Sequence, residues 1–192
     1  MSAAKIVIIG STGVGKSCII SRLVNGTFPK SVTSTIGTPY FTRRVKSKSG
    51  VLDVEIWDTS GQERFHSLIP LFFRGADAVI VVYSVTDWDT FYVAKDWIES
   101  VPDEAQNDNI VIYLFGNKTD DKREISEADG VACAKEYGCM FAEGSAMKGE
   151  GLDSILPDLA HEISIIKRKT PTKKDDKLDL SKKERKRGCC QK

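Results

Sequence analysis

Short apolar segments alternate with amphipathic stretches along the first 166 residues of the chain. Four of these segments are apolar at most consecutive positions, a pattern typical of parallel strands that are buried on both faces. The predicted strands of this kind are Lys5–Gly10, Val51–Trp57, Ala76–Tyr83 and Ile110–Gly116. Phe41–Lys46 alternates more between apolar and polar residues, which predicts an antiparallel edge strand, and Cys139–Ala142 is a predicted sixth strand.

The stretches between the predicted strands have the spacing of amphipathic helices. They are Lys16–Val24, Ser67–Arg74, Thr90–Ser100, Ser126–Tyr137 and Leu152–Ile166. Alternation of strands and helices at this spacing predicts βαβ units with a ligand at the carboxyl ends of the strands. The predicted fold class is therefore α/β, with a six-stranded, mostly parallel sheet, one antiparallel edge strand and helices on both faces.

The end of the chain differs in composition from the rest. Residues 167–192 hold twelve Lys or Arg and four acidic residues, a net charge of +8, whereas residues 1–166 hold 16 basic and 23 acidic residues, a net charge of −7. The tail has too few apolar side chains to offset the entropy of ordering it. We therefore expect one folded domain over residues 1–167 and a disordered basic tail over residues 168–192.

Cysteine usage and hydropathy narrow the class of protein. Cys18, Cys133 and Cys139 are scattered without a C-x-x-C pair, which favours reduced thiols over a disulfide framework or a zinc site. The longest apolar runs have six residues, and a membrane span needs about 20. These features predict a soluble intracellular protein.

A glycine-rich loop follows the first predicted strand directly. Gly10–Ser17 satisfies the pattern G-x-x-x-x-G-K-[ST] between a strand and a helix. Glycines let successive N–H groups turn towards phosphate oxygens, and the helix adds its positive N-terminus. In this pattern Lys16 reaches the β- and γ-phosphates and the Ser17 hydroxyl coordinates Mg²⁺. The loop by itself predicts a nucleotide phosphate and leaves the base open.

A second motif, Asn117-Lys118-Thr119-Asp120, follows the fifth strand. A carboxylate there can accept two hydrogen bonds from the N1–H and the exocyclic amine of guanine. Adenine offers no such pair of donors, so it would leave the carboxylate unpaired. Together with the phosphate loop, the motif predicts a guanine nucleotide.

A third motif follows the third predicted strand and predicts contacts to the γ-phosphate. Asp58 can hold Mg²⁺ through water, the Gly61 N–H can contact the γ-phosphate, and Gln62 can orient the attacking water. Thr35, in the loop before the edge strand, offers both a hydroxyl and a carbonyl. The predicted reaction is hydrolysis of GTP to GDP and phosphate.

At this point the sequence resembles the Ras superfamily of small GTPases, and within it the Rab family. Five segments carry the resemblance: GSTGVGKS, TIG at Thr35–Gly37, WDTSGQERF at Trp57–Phe65, NKTD, and EGSA at Glu143–Ala146. Rab character lies in Arg64–Pro70, Phe72–Ala76 and Val81–Thr86. The HSL and FFRGA stretches are most like the endocytic branch of the family.

The resemblance implies a P-loop NTPase G domain that binds GTP or GDP with Mg²⁺. The candidate nucleotide-binding residues are Gly13, Val14, Gly15, Lys16, Ser17, Cys18, Phe28, Thr35, Gly61, Asn117, Lys118, Asp120, Ser145, Ala146 and Met147. The candidate catalytic residues are Gln62, Lys16 and Gly61, and the candidate metal ligands are Ser17, Thr35 and Asp58. By the same likeness Phe28 packs on the guanine, and Tyr40, Trp57 and Phe72 match the aromatic triad that effectors recognise.

The sequence departs from the Rab pattern at four positions. Pro39 lacks an N–H and tolerates only an edge position. Val32 stands where a tyrosine commonly covers the γ-phosphate, Ser60 replaces an alanine, and Met147 replaces a lysine. Val32, Ser60 and Met147 leave open an alternative, a GTP-binding scaffold with negligible hydrolysis. A P-loop kinase or metabolic ATPase is a third reading, disfavoured by NKTD and by the lack of an acceptor-binding lid.

The spacing of the motifs also predicts which partners the chain needs. About ten residues separate the first helix from Thr35, which leaves no room for a helical insertion carrying an arginine. When a partner protein supplies such an arginine, the rate of GTP hydrolysis increases by a factor of roughly 10³–10⁵. We therefore expect slow hydrolysis, an activating protein, an exchange factor and effectors, acting on a monomeric G domain.

The tail ends in a basic cluster followed by Cys189 and Cys190. A nuclear-localisation or nucleic-acid patch is the alternative, but a C-C-x-x ending resembles the Rab pattern for double geranylgeranylation. Two lipid chains anchor a protein stably to a membrane, whereas a single chain gives only marginal membrane binding. The resemblance implies a prenylation escort, a dissociation inhibitor and no nucleic acid. It also implies the cytoplasmic face of intracellular, endosomal membranes, with cycling through the cytosol.

Overall fold

Six strands form one sheet in a computed structural model of the chain, which describes residues 3–29, 39–59 and 72–169. The strands are β1 (Ala4–Ile9), β2 (Tyr40–Ser47), β3 (Gly50–Asp58), β4 (Ala78–Ser84), β5 (Val111–Asn117) and β6 (Met140–Glu143). Their order across the sheet is β2-β3-β1-β4-β5-β6. The β2–β3 pair is antiparallel and every other pair is parallel, which confirms the predicted α/β sheet and its antiparallel edge.

Helices cover both faces of the sheet. The described residues contain α1 (Lys16–Asn25), α2 (Trp88–Ala105), α3 (Glu127–Tyr137) and α4 (Ile155–Lys169). Apolar residues of α1 and α4 pack in one core cluster with the sheet, and those of α2 and α3 pack in a second cluster on the opposite face. The predicted helix over Ser67–Arg74 falls mostly outside the described residues.

The central strands are buried, but the first half of β3 is not. Every residue of β4 is buried, as expected for a strand covered on both faces. In contrast, Val51 in β3 is 60% exposed. β1 pairs with β3 only from Val54 onwards, so Gly50–Asp53 pair with the edge strand β2 alone. The expectation of an apolar strand that is buried throughout is therefore wrong for this half of β3.

The C-terminal helix extends beyond the apolar pattern from which it was predicted. α4 continues to Lys169, three residues past Ile166, and its last turn carries Lys167, Arg168 and Lys169. Cations in a last turn interact favourably with the negative end of the helix dipole. Residues 170–192 lie outside the described residues, so the disordered tail stays a prediction. Among the described residues no helix is long and apolar enough to cross a membrane.

Candidate nucleotide site

The glycine-rich loop follows β1 and leads directly into α1. Gly10 has φ 140°, and a Cβ there would lie 2.1 Å from the carbonyl oxygen of Val82 in β4. Only glycine fits this close approach of two backbones. At the other end of the loop Gly15 caps α1 with φ 99° and supplies no side-chain cap. A helix start built in this way presents backbone N–H groups to an anion.

Lys16 lies across the loop that it follows. Its side chain is nearly buried, with 5% of the residue exposed. Nζ donates to the carbonyl oxygens of Gly10 at 2.8 Å and Ser11 at 3.0 Å. These bonds hold the ammonium group over the loop, where it can contact phosphate oxygens.

Ser17 and Asp58 bring two hard oxygen donors together. The Ser17 hydroxyl, in the first turn of α1, donates to Oδ2 of Asp58 at 2.5 Å, and Asp58 is the last residue of β3. Magnesium is held in proteins by one or two such oxygens together with waters and substrate phosphates, so this pair fits the ion. Cys18, the residue after Ser17, is buried. Burial and, to a smaller extent, the nearby Asp58 carboxylate raise the pKa of its thiol. Cys18 therefore stays protonated at neutral pH.

Asn117 ties the phosphate loop to the loop that follows β6. Its Nδ2 donates to the carbonyl oxygen of Val14 at 2.7 Å, and its Oδ1 accepts from the Ala146 N–H at 3.0 Å. The asparagine is 2% exposed. A Cβ on Gly15 would lie 2.4 Å from this Nδ2, so the loop glycine makes room for the asparagine. The sequence motif predicted a role for Asn117 in guanine binding, but it did not predict that Asn117 joins the two loops.

The remaining guanine-motif residues leave the sheet through an unusual turn. Lys118 has φ 70°, a left-handed conformation that non-glycine residues adopt rarely and that is often found at functional sites. Thr119 N–H donates to the Gly144 carbonyl at 3.1 Å, which joins the NKTD segment to the EGSA segment. Asp120 is partly exposed beyond this turn. Thus the two segments predicted to contact the base lie side by side.

The EGSA loop is closed by its own hydrogen bonds. Ser145 is fully buried, and its hydroxyl accepts from the Lys148 N–H at 3.0 Å. Ala146 is 2% exposed, whereas Met147 is 61% exposed. Met147 therefore leaves its side chain at the surface, where the family pattern has a lysine.

Arg22 is a structural residue of this site that the motifs did not reveal. From α1 its guanidinium donates to the carbonyl oxygens of Ala146 at 2.7 Å and Met147 at 2.5 Å. It also lies 6.0 Å from the ring centroid of Phe28. Arg22 thereby connects the residue expected to stack on guanine with the loop expected to contact the base. Its position one turn before the end of α1 is the only sequence signal of this role.

Two of the three predicted effector-facing aromatics stack on each other. Tyr40 and Trp57 are cross-strand partners in β2 and β3, with ring centroids 5.2 Å apart and planes inclined by 21°. Lys5 Nζ lies 4.8 Å from the Trp57 ring. Phe72 packs against the same core cluster as Trp57. Pro39 precedes β2, and its carbonyl accepts from the Asp58 N–H at 3.0 Å, so hydrogen bonding between the two chain segments extends one residue before Tyr40.

Several predicted residues lie outside the described residues. They are Thr35, Gly61 and Gln62, together with Val32 and Ser60 and the tail cysteines Cys189 and Cys190. Their roles stay predictions. The described residues therefore bring together the phosphate, base and metal candidates Lys16, Ser17, Asp58, Asn117 and Ala146.

Comparison with known proteins agrees with this arrangement. The Ras family model matches residues 5–165. The chain is 38% identical over 162 residues to Ras-related protein Rab5 of Nicotiana tabacum and to Ras-related protein RHN1 of Nicotiana plumbaginifolia, covering 83% of this chain and 80% of each relative. It is also 38% identical over 167 residues to Ras-related protein SEC4 of Candida albicans, covering 86% of this chain and 78% of the relative. The chain thus belongs to the Ras family, as a small GTPase of the Rab type that binds guanine nucleotide and hydrolyses GTP.

Proposed function

We propose that this GTPase is a slow molecular switch that recruits effectors to endocytic membranes in its GTP-bound form. The observation that carries the proposal is the convergence of three groups at one edge of the sheet. The loop lysine Lys16, the Ser17–Asp58 pair and the bridging residue Asn117 all lie at or just beyond the carboxyl ends of parallel strands. That edge is where ligands bind in folds of this class.

Catalysis in this site consists of positioning and charge stabilisation. Lys16 and the loop N–H groups lie where negative charge on the phosphates would be stabilised. Gln62 orients the attacking water in the proposed mechanism, and the Gly61 N–H holds the γ-phosphate. The short spacing before Thr35 leaves no room for a helical insertion carrying an arginine. An activating protein that supplies one should therefore accelerate hydrolysis by roughly 10³–10⁵.

The donor set at the start of α1 supports a magnesium ion beside the phosphates. Ser17 and Asp58 would hold it together with Thr35, and when bound it would neutralise charge on the β- and γ-phosphates. The direct Ser17–Asp58 contact shows that the two oxygens can meet across α1 and β3. Thr35 would respond to the γ-phosphate and relax when that group is lost.

The guanine end of the site is supported by a chain of contacts. Phe28, Arg22 and the carbonyls of Ala146 and Met147 form one connected group. Asp120 follows the left-handed Lys118 in the adjoining turn. A carboxylate in this position would accept both donors of guanine, and this pairing accounts for the selection against adenine.

The stacked Tyr40–Trp57 pair supports the proposed effector surface. Tyr40 is 57% exposed, although large aromatic side chains usually pack away from water. Exposed aromatics are enriched where proteins contact one another. Because β2 begins at Tyr40, close to Thr35 in sequence, a change at the γ-phosphate would alter the surroundings of Tyr40.

The tail is proposed to place the switch on membranes. Geranylgeranyl groups on Cys189 and Cys190 would anchor the chain, and each basic residue near anionic lipid would add about 1 kcal/mol. A prenylation escort and a dissociation inhibitor would then handle the lipidated form. The endocytic assignment rests on the HSL and FFRGA stretches.

Single-turnover hydrolysis tests the proposed switch most simply. GTP-loaded protein should hydrolyse slowly alone and much faster with a Rab-activating domain, whereas Gln62→Leu should not respond to that domain. Equal response of the parent and Gln62→Leu would contradict the role of Gln62. A parent that neither hydrolyses nor responds would favour the scaffold alternative.

Localisation tests the membrane part separately. The fluorescently tagged chain should overlap with internalised dextran, and the Cys189→Ser, Cys190→Ser double variant should be wholly cytosolic. Membrane association of the double variant would refute lipid anchoring. Membrane association of the parent without dextran overlap would refute the endocytic assignment alone.

A further inference from the structure

A groove of about 530 Å³ lies between the edge strand β2, the end of α1 and the start of α4. This volume is in the range of roughly 300–1,000 Å³ that small-ligand sites occupy. Its apolar wall is formed by Leu23, Val45, Leu152, Leu156 and Pro157. The groove contains none of the residues proposed to contact phosphate, metal or base.

Basic residues dominate the polar part of the groove. Its lining includes Arg22, Arg43, Arg44, Lys46 and Lys148. Asp153 is the one acidic residue in the described lining. Residues 1–50, which supply four of these cations, hold eight Lys or Arg and no Asp or Glu. This concentration of positive charge lies on a domain whose net charge is −7 over residues 1–166.

Strand alternation places Arg43 on the face of β2 that packs beneath the helices. Val45 is buried in the core cluster beneath α1 and α4, so Arg43, two residues earlier, lies on the same face of β2. Arg44 and Lys46 also line the groove, but they start from the opposite face of the strand. On that face Arg44 forms an ion pair with Asp53 of β3, with Nε and Oδ1 2.7 Å apart. The Asp53 carboxylate therefore does not neutralise Arg43.

Arg22 and Lys148 add charge from the other walls. The guanidinium of Arg22 is held by neutral carbonyl oxygens of Ala146 and Met147, so its positive charge is retained. In the described parts of the chain, no carboxylate forms an ion pair with Arg22, Arg43 or Lys148. Three cations from three different elements thus converge on one concave site with an apolar wall.

We propose that this groove binds a ligand that carries several phosphate groups, of the size of a phosphorylated inositol ring. Each phosphate accepts several charge-assisted hydrogen bonds, and arginine matches phosphate geometry particularly well. A ring with phosphates on several sides suits cations that approach from separate walls. The basic tail of this chain would be repelled by the groove and is not its occupant. The groove shares Arg22 with the guanine end of the nucleotide site, so the variants that test it change Arg43 and leave Arg22 in place.

Calorimetric titration of the full-length, GDP-loaded protein with inositol hexakisphosphate tests the proposal. Arg43→Glu reverses a charge that lines the groove, whereas Lys48→Glu makes the same reversal at an exposed lysine in the turn after β2, outside the lining. We expect Arg43→Glu to weaken binding by about tenfold or more and Lys48→Glu by about twofold or less, because only the first removes a direct contact. Arg43→Lys should retain most of the affinity.

Vesicle binding then distinguishes a lipid headgroup from a soluble ligand. If Arg43→Glu also loses binding to phosphatidylcholine vesicles containing phosphatidylinositol bisphosphate, the ligand is a lipid headgroup. If only inositol hexakisphosphate binding is lost, the ligand is soluble. Either result supports the groove as the phosphate site.

Three results would overturn the proposal. Equal weakening by Arg43→Glu and Lys48→Glu, or an equal loss on phosphatidylserine vesicles of matched charge, would mean general attraction to anions. An unchanged affinity in Arg43→Glu would place the ligand on the tail or the phosphate loop. Binding of a hexaglutamate peptide as tight as that of inositol hexakisphosphate would indicate an acidic protein partner instead. All variants should keep their bound GDP, so failure here leaves the proposed switch function intact.

Discussion

Replacing Asn117 by alanine removes both hydrogen bonds that join the phosphate loop to the EGSA loop. The carbonyl of Val14 and the N–H of Ala146 then lose their partner, and both residues are buried, at 0% and 2% exposed. A buried polar group left unpaired costs about 1–3 kcal/mol, so two such groups predict a loss of roughly 2–6 kcal/mol. The loss should appear in the free energy of unfolding and in nucleotide retention, since both loops hold the nucleotide.

Two measurements on the GDP-loaded protein check this prediction. Urea unfolding should show the lower stability of Asn117→Ala, and release of a fluorescent GDP analogue should accelerate by roughly a hundredfold for about 3 kcal/mol lost. Asn109→Ala, which removes an exposed asparagine after α2, is the matched control and should change neither value appreciably. If Asn117→Ala unfolds and releases nucleotide as Asn109→Ala does, the bridging role of Asn117 is wrong.

Further predictions concern the loop backbone, a thiol and a buried hydroxyl. Gly10→Ala should lower the unfolding free energy by more than about 3 kcal/mol, since its Cβ would meet a backbone carbonyl of β4. Gly138→Ala, with φ 65° and open space around the Cβ position, should cost about 1 kcal/mol. Burial raises the pKa of Cys139 to about 11. Its alkylation at pH 8, followed by peptide mapping, should therefore be about a hundredfold slower than that of an ordinary thiol, and the rate should increase about tenfold per pH unit up to pH 10. Tyr83→Phe removes a donor to Glu143 at 2.9 Å and should cost about 1 kcal/mol in urea unfolding; an unchanged midpoint would contradict this.

The sheet could be predicted because its strands are buried and therefore strongly apolar. β4 and β5 are almost continuous runs of apolar residues, and the structure buries them on both faces. The same reasoning failed for the first half of β3, whose exposure depends on where its neighbour β1 begins. Register between strands is a tertiary property that a single segment does not encode.

Helix ends were harder to predict than helix positions. The pattern predicted Thr90–Ser100, but α2 spans Trp88–Ala105, starting after Asp87, whose side chain accepts from the Asp89 N–H. At its other end the helix continues past Pro102 because Val101 and Ala105 bury their side chains against the sheet. Packing thus offsets the hydrogen bond that the proline cannot make.

The candidate site was predictable where chemistry demands fixed spacing. Lys16, Ser17 and Asp58 lie at or soon after strand ends in short motifs, so a parallel sheet brings them together. Arg22 escaped prediction because its partners, the carbonyls of Ala146 and Met147, lie more than 120 residues away in sequence. Backbone acceptors carry no residue signature, and a contact to them cannot be identified from side-chain patterns.

Recognition of guanine through Asp120 is tested by the nucleotide preference of the purified protein. The parent should bind GDP and release it only slowly, in preference to xanthosine and adenosine diphosphates. In Asp120→Asn the amide can no longer accept both guanine donors, so GDP affinity should fall by about a hundredfold while xanthosine diphosphate affinity rises. An Asp120→Asn protein that keeps the GDP preference of the parent, or a parent that prefers an adenine nucleotide, would contradict the account.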